Sequence, residues 1–223
     1  MEHLSQVCGA LEKAVTVVGD TVRTISTGGG LPIPYNAEES HIDLRQFYGL
    51  WDAARQRIAK QVGHEVCLEI EPGRFLVAES GFLVTQIRSI KTTSDKQFYL
   101  VDAGFNNLAR PIMYGSYHPI SIAIEENRNH KHVDVVVGGP LCESGDIFTQ
   151  QEGGFVCTRS LPEALVGDYL VLECAGAYGS VMGSNYNSKL LAAEVMIHDG
   201  MAHLVRVRQT YDALMADERV MDA

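Results

Sequence analysis

Cys142 and Glu143 stand side by side in Gly138-Gly139-Pro140-Leu141-Cys142-Glu143-Ser144-Gly145-Asp146, directly after the apolar run Val133 to Val137. A thiol and a carboxyl both exchange protons at accessible pKa values, so the pair suits acid–base work. A strand that ends by presenting both groups on a glycine-flanked turn delivers reactive side chains and does not fill a core. The plain alternative for Cys142 is a structural thiol, because free cysteines are mostly buried and inert.

Four other stretches carry chemistry of their own. In Glu71-Pro72-Gly73-Arg74 the arginine offers a planar fork for a phosphate or carboxylate. Glu71, three residues earlier, can pair with a protonated ring nitrogen, the arrangement that makes pyridoxal phosphate a better electron sink. A surface ion pair does not need Pro72 and Gly73 between its members, which favours a binding role. Gly28-Gly29-Gly30 follows a short apolar run, and consecutive glycines let backbone N–H groups converge on an anion. By itself the triplet reads equally as a flexible turn, and it is not the dinucleotide fingerprint. Arg110 and Tyr114, in Arg110-Pro111-Ile112-Met113-Tyr114, can jointly hold a carboxylate; a solvated arginine beside a packed tyrosine is the simpler reading of those residues alone. Gly176-Ala177-Tyr178-Gly179 and the Ser- and Asn-rich residues that follow fit a ligand-contacting loop or an ordinary surface loop.

The elements that position these groups change character near residue 80. Leu4, Val7, Cys8, Leu11, Ala14, Val15 and Val18 fall at helical spacing, closed by Gly19-Asp20. This helix begins abruptly, as expected if Met1 lies inside a longer parent protein. Val22 to Ser26 reads as a strand leading into the glycine triplet. A second helix runs from Leu44 to Val62, with Asp43 and Gln46 as a capping box, a stripe of Phe47, Leu50, Trp51, Ala54 and Ile58, and Gly63 as the stop. Val66 to Ile70 is a strand ending at Glu71. Helix–strand alternation implies a parallel sheet, and both strands end in a binding motif at their carboxyl ends, where such sheets gather their sites. After Gly81 the segments Gly81 to Ile90, Gln97 to Asp102, Val133 to Val137, Asp168 to Cys174, Glu194 to Ile197 and His203 to Arg208 read as strands, closed by a helix over Thr210 to Asp217. The polar residues Glu125 to His132 read as an exposed loop.

The bulk numbers exclude several classes. The chain has 223 residues, 46% hydrophobic and 21% charged, which fits a globular protein with a core. A net charge of −10 without a basic stripe argues against nucleic acid as a partner. No apolar stretch approaches a membrane span and no signal-peptide pattern opens the chain. The five cysteines, at 8, 67, 142, 157 and 174, form no CxxC pair and no zinc spacing, which reads as reduced and cytoplasmic. Cys67, Cys157 and Cys174 fall on expected strands and Cys8 on the apolar stripe of the first helix, all with structural roles. The eight histidines form no metal set, and His130 and His132 belong to the polar loop.

Taken together, Cys142 to Asp146, Arg110 to His118, Glu71 to Arg74 and Gly28 to Gly30 resemble the C-terminal part of the diaminopimelate decarboxylases, a family of pyridoxal-phosphate enzymes. The resemblance runs from the first helix to the last. It implies the last units of a pyridoxal-phosphate-binding (β/α)8 barrel over residues 1–80. A mostly antiparallel β-barrel or sandwich domain with a terminal helix would follow over 81–223. It further implies that Gly28, Gly29, Gly30 and Arg74 contact the cofactor phosphate, that Glu71, with Pro72 and Gly73 behind it, faces the pyridine nitrogen, and that Tyr178 touches cofactor and substrate. Arg74, Arg110, Tyr114 and Glu143 would read the amino-acid substrate, Arg110 taking its distal carboxylate and Glu143 its distal ammonium. Cys142 would be the proton donor, delivered to the partner subunit of a homodimer with shared active sites. The implied reaction converts meso-diaminopimelate to L-lysine and carbon dioxide, the last step of lysine biosynthesis.

The chain departs from that pattern in one respect. The family holds its cofactor on a lysine from an early barrel strand, and none of the six lysines, at 13, 60, 91, 96, 131 and 189, fits that role. A complete barrel takes roughly 250 residues. The chain alone is therefore expected to lack the cofactor lysine, to be inactive and to fold poorly in its first third. Two other readings are a related decarboxylase acting on ornithine, arginine or another amino acid, and a non-enzymatic dimerisation module.

Overall fold

Parallel pairing of two short strands organises the first part of the chain. The computed structural model describes residues 2–93, 95–123 and 131–221, and these separate into two compact units, Met1–Ala78 and Glu79–Ala223. In the first, helix α1 (Glu2–Val18) is followed by strand β1 (Thr24–Ser26), helix α2 (Leu44–Val62), strand β2 (Cys67–Glu69) and a short helix α3 (Gly73–Val77). Gly19 ends α1 at φ 85°, its N–H donating to the Val15 carbonyl. Asp43 caps α2, its carboxylate accepting from the Arg45 and Gln46 N–H groups, and Gly63 closes it in the left-handed region at φ 78°. Strands β1 and β2 run parallel, with Thr24, Ile25 and Ser26 opposite Cys67, Leu68 and Glu69. Both are shorter than the apolar runs, although hydrogen bonds between the two segments continue beyond them, from Thr27 to Glu69 and from Glu71 to Gly28.

Among the described residues, two small cores hold this unit. Val15, Ile25, Ile58 and Val66 form one; Cys8, Trp51 and Ala54 form the other, so the α1 and α2 stripes face each other and the sheet. Phe47 and Leu50 lie at the half-buried margin of that stripe.

The second unit is built on a six-stranded sheet. Its strands are β3 (Leu83–Thr92), β4 (Gln97–Val101), β5 (Ile120–Ala123), β6 (His132–Gly138), β9 (Arg159–Pro162) and β10 (Tyr169–Leu172). Between β4 and β5 lies the short helix α4 (Arg110–Tyr114), and between β6 and β9 the small hairpin of β7 (Gln150–Gln151) and β8 (Phe155–Val156). The spatial order is β5-β10-β3-β4-β6-β9, all antiparallel except the parallel β4–β6 pair. The sheet curls until its edge strands β5 and β9 approach each other, giving a nearly closed, barrel-like form. A bulge at Ile87/Ser89 adds curvature. Ile87, Tyr99, Val101, Leu108, Val135, Val137, Phe148, Leu170 and Leu172 fill the interior. The buried Tyr99 hydroxyl accepts from the Ala164 N–H at 3.0 Å. Strands β11 (Glu194–His198) and β12 (Met201–Arg206) form a separate hairpin, turning through Asp199 and Gly200, both at positive φ. Helix α5 (Tyr211–Leu214) follows, capped by Thr210.

Several sequence expectations change here. The helical segment α4 and the strands β5 and β9 were not expected. The last strand lies at Met201–Arg206, not His203 to Arg208, and the terminal helix is a single turn. His132 opens β6 and is not in a loop; Glu125 to His130 lie outside the described residues. Cys157 sits just past β8, and Cys174 sits in a bend beyond β10 at φ 54°. Cys67 is on its strand but exposed. No helix among the described residues is long and apolar enough to cross a membrane.

Candidate functional site

In the first unit the carboxyl ends of β1 and β2 bring the two binding motifs together. The Ser26 hydroxyl donates to Glu71 Oε1 at 3.0 Å and accepts from the Gly28 N–H at 3.0 Å. The Glu71 N–H donates to the Gly28 carbonyl at 2.9 Å. Gly28 and Gly30 adopt φ 66° and 88°, a conformation that side chains resist. Arg74 lies one turn further on, in α3. Backbone amides and a guanidinium for an anion, next to a carboxylate for a cationic ring nitrogen, are a donor set that fits pyridoxal phosphate. Lys13 lies in α1 and Lys60 in α2, so neither projects from a strand end.

In the second unit the Cys142 turn is held from two sides. Asp146 is buried, its Oδ1 accepting from the Phe105 N–H and its Oδ2 from the Leu141 N–H, each at 2.8 Å. A side chain at Gly139 or Gly104 would overlap that carboxylate, which explains the glycine ahead of Cys142. Burial pushes the Asp146 pKa up, against the pull of the Leu141 and Phe105 N–H groups. The Cys142 N–H donates to Asn187 Oδ1 at 2.9 Å, and Asn187 has the left-handed φ of 54° that asparagine tolerates. Cys142 and Glu143 are themselves exposed. Glu143 Oε1 accepts from the Gly145 N–H at 3.2 Å.

Helix α4 carries Arg110 and Tyr114 four residues apart and packs Ile112 against Gly145 of the Cys142 turn. The simpler sequence reading is reversed: Arg110 is 6% exposed and Tyr114 55%. Arg110 Nη1 donates to His118 Nε2 at 3.0 Å, and His118 Nδ1 lies 2.9 Å from the Glu173 carbonyl. Burial, with the Arg110 charge adding to it, lowers the His118 pKa to about 4, although the Glu173 carbonyl opposes the shift. The Arg110 guanidinium carbon is 6.0 Å from the centre of the Tyr178 ring, and Tyr178 holds the unusual φ of 63°. Arg110 and Tyr178 are thus neighbours, and α4 touches the turn bearing Glu143. Asp146 and His118 lie within the motifs singled out in the sequence, but their supporting roles do not; Asn187 carried no signal beyond the polar composition of its loop. Among the described residues no three His, Cys, Asp or Glu side chains group as a metal site.

This curled mixed sheet, with a thiol and a carboxylate on one turn and a buried arginine on the helix packed against it, has counterparts among known proteins. The chain belongs to the pyridoxal-dependent decarboxylases, residues 16–176 matching the C-terminal sheet domain of that family. Within it, the similarity is to diaminopimelate decarboxylases. The chain is 57% identical to the Escherichia coli (strain K12) diaminopimelate decarboxylase over 219 residues, 97% of this chain and 52% of the relative. A crystal structure of diaminopimelate decarboxylase matches at TM-score 0.92 and 56% identity, covering 96% of this chain and 52% of that one. The M. jannaschii diaminopimelate decarboxylase in complex with L-lysine matches at TM-score 0.84 and 30% identity, covering 98% and 48%. The chain spans about half the length of the curated relatives it matches.

Proposed function

We propose that this chain supplies the C-terminal share of a diaminopimelate decarboxylase active site, which removes carbon dioxide from meso-diaminopimelate to give L-lysine. The observation that carries this reading is the grouping of Arg110 and Tyr178 with a helix packed on the Cys142–Glu143 turn. Residues 1–80 are the last units of the cofactor-binding barrel and 81–223 the β domain. Gly28, Gly29, Gly30 and Arg74 hold the phosphate of pyridoxal phosphate, and Glu71, oriented by Ser26, faces its ring nitrogen. When bound, the cofactor supplies the electron sink that decarboxylation needs.

The other residues act on the substrate. Arg110, with Tyr114, takes the distal carboxylate; Glu143 takes the distal ammonium; Arg74 and Tyr178 line the reacting end. Cys142, exposed on its clamped turn, returns a proton to carbon in the partner subunit's site of a cytoplasmic homodimer. The cofactor lysine comes from outside residues 1–223.

The test joins this chain to the N-terminal half of the Escherichia coli relative. Arg110→Ala is expected to lower kcat/KM for diaminopimelate at least about a hundredfold, the loss of a charge-assisted contact, while ornithine turnover stays at its low background. Equal loss on both substrates would refute the assignment of Arg110 to the distal carboxylate and favour a decarboxylase of another amino acid.

A further inference from the structure

His118 is a buried imidazole clamped between two groups whose chemistry fixes its state. Its Nδ1 lies 2.9 Å from the Glu173 carbonyl, which only accepts, so Nδ1 carries the hydrogen. Its Nε2 lies 3.0 Å from Arg110 Nη1, and a guanidinium only donates, so Nε2 is the bare nitrogen. A second proton would point an N–H at a guanidinium inside the protein. At 2% exposed, the ring is sealed from water that might exchange for either partner. A phenylalanine would fill this space without the desolvation that a polar ring incurs, so an imidazole here points to use of its acceptor.

We propose that His118 is the positioning residue that fixes the orientation of Arg110, as a neutral imidazole tethered to the Glu173 carbonyl. This deepens the reading of Arg110 as the residue that takes the substrate's distal carboxylate, and it rests on that reading. Arginine has many rotamers, and one donor locked to a rigid acceptor narrows them before substrate arrives. The chain of dependence runs from β10, through the Glu173 carbonyl just beyond it, to His118 and then to α4.

Two measurements test it. In the 223-residue chain labelled with 15N-histidine, long-range 1H–15N spectra should show His118 with Nδ1 protonated and Nε2 bare from pH 8 down to pH 5.5. A protonated Nε2 in that range overturns the proposal. In the joined enzyme, His118→Phe keeps the volume and removes the acceptor, whereas His118→Gln keeps an acceptor. His118→Phe should raise KM for diaminopimelate roughly ten- to hundredfold with a smaller change in kcat, and His118→Gln should recover most of it. Equal impairment of the two variants, or a loss confined to kcat, overturns positioning. If Arg110→Ala itself leaves KM for diaminopimelate unchanged, the substrate reading of Arg110 fails, and the spectra then show separately whether the tether exists.

Discussion

Asp146 holds the Cys142 turn with two carboxylate oxygens, each accepting from a different backbone N–H. An amide cannot substitute, because its nitrogen would face one of those N–H groups as a second donor. Asp146→Asn is therefore expected to destabilise the second unit by about 1–3 kcal/mol, the cost of a buried unsatisfied donor, read by urea unfolding. His118 makes a pH-dependent contribution of a different sign. Its folded pKa of about 4 lies below the ordinary 6.5, so on acidification the unfolded chain takes up the proton first. The stability at stake is fully present above about pH 6.5 and drains away as pH falls toward 4, about 3 kcal/mol in all. Asp146, raised by burial, runs the other way and cannot produce this loss. His118→Gln should flatten the stability profile across that window; a profile as steep as the parent's would rule His118 out as its source. Cys142 and Glu143 stood out in the sequence because they share one turn. The partners that hold the Cys142 turn and His118 did not: Asn187 is 45 residues from Cys142 and Glu173 is 55 from His118, separations that only the folded chain closes.

At the scale of elements, legibility followed length and periodicity. Helix α2 was readable at both ends, since Asp43 and Gly63 each solve a local problem of unpaired backbone groups. Asp43→Ala should remove about 1 kcal/mol from the first unit, visible as a lower urea midpoint for helical ellipticity with an unchanged slope. An unmoved midpoint would mean that the first unit does not unfold with α2. The short pieces left no such trace. β5 has four half-exposed alternating residues, and β9 ends in a proline that cannot extend a ladder. Helix α4 has five residues, fewer than two turns, so no helical period could develop. The parallel β4–β6 pair was hidden for a further reason: β4 and β6 are separated in sequence by α4 and β5, and pairing order is set by the interior that the strands jointly fill.

At the scale of the whole molecule, the two units are unequally furnished. The second encloses one continuous apolar interior that includes fully buried Tyr99, Ile87 and Leu170. Among its described residues the first has two small clusters and a two-stranded parallel sheet, an arrangement that elsewhere is covered on both faces. It also leaves an apolar groove of about 500 Å³ beside Leu31, Phe47, Trp51 and Leu68, and the buried Trp51 indole N–H has no hydrogen-bond partner among the described residues. A single buried donor left unpaired costs about 1–3 kcal/mol, a large share of what a unit of this size can hold in reserve. Local stability should therefore divide along the chain at Ala78. In hydrogen exchange of the 223-residue chain, amides of β4, β6 and β10 should be the slowest, while β1, β2 and the first turns of α2 exchange at least about tenfold faster. Adding the separately produced N-terminal half of the Escherichia coli relative should slow exchange in β1, β2 and α2 and leave β4 and β10 unchanged, if the proposed barrel neighbours pack on the first unit's parallel strands and apolar groove. Uniform protection in the chain alone would show that the first unit is self-sufficient and that its groove and unpaired indole are tolerated without a covering partner.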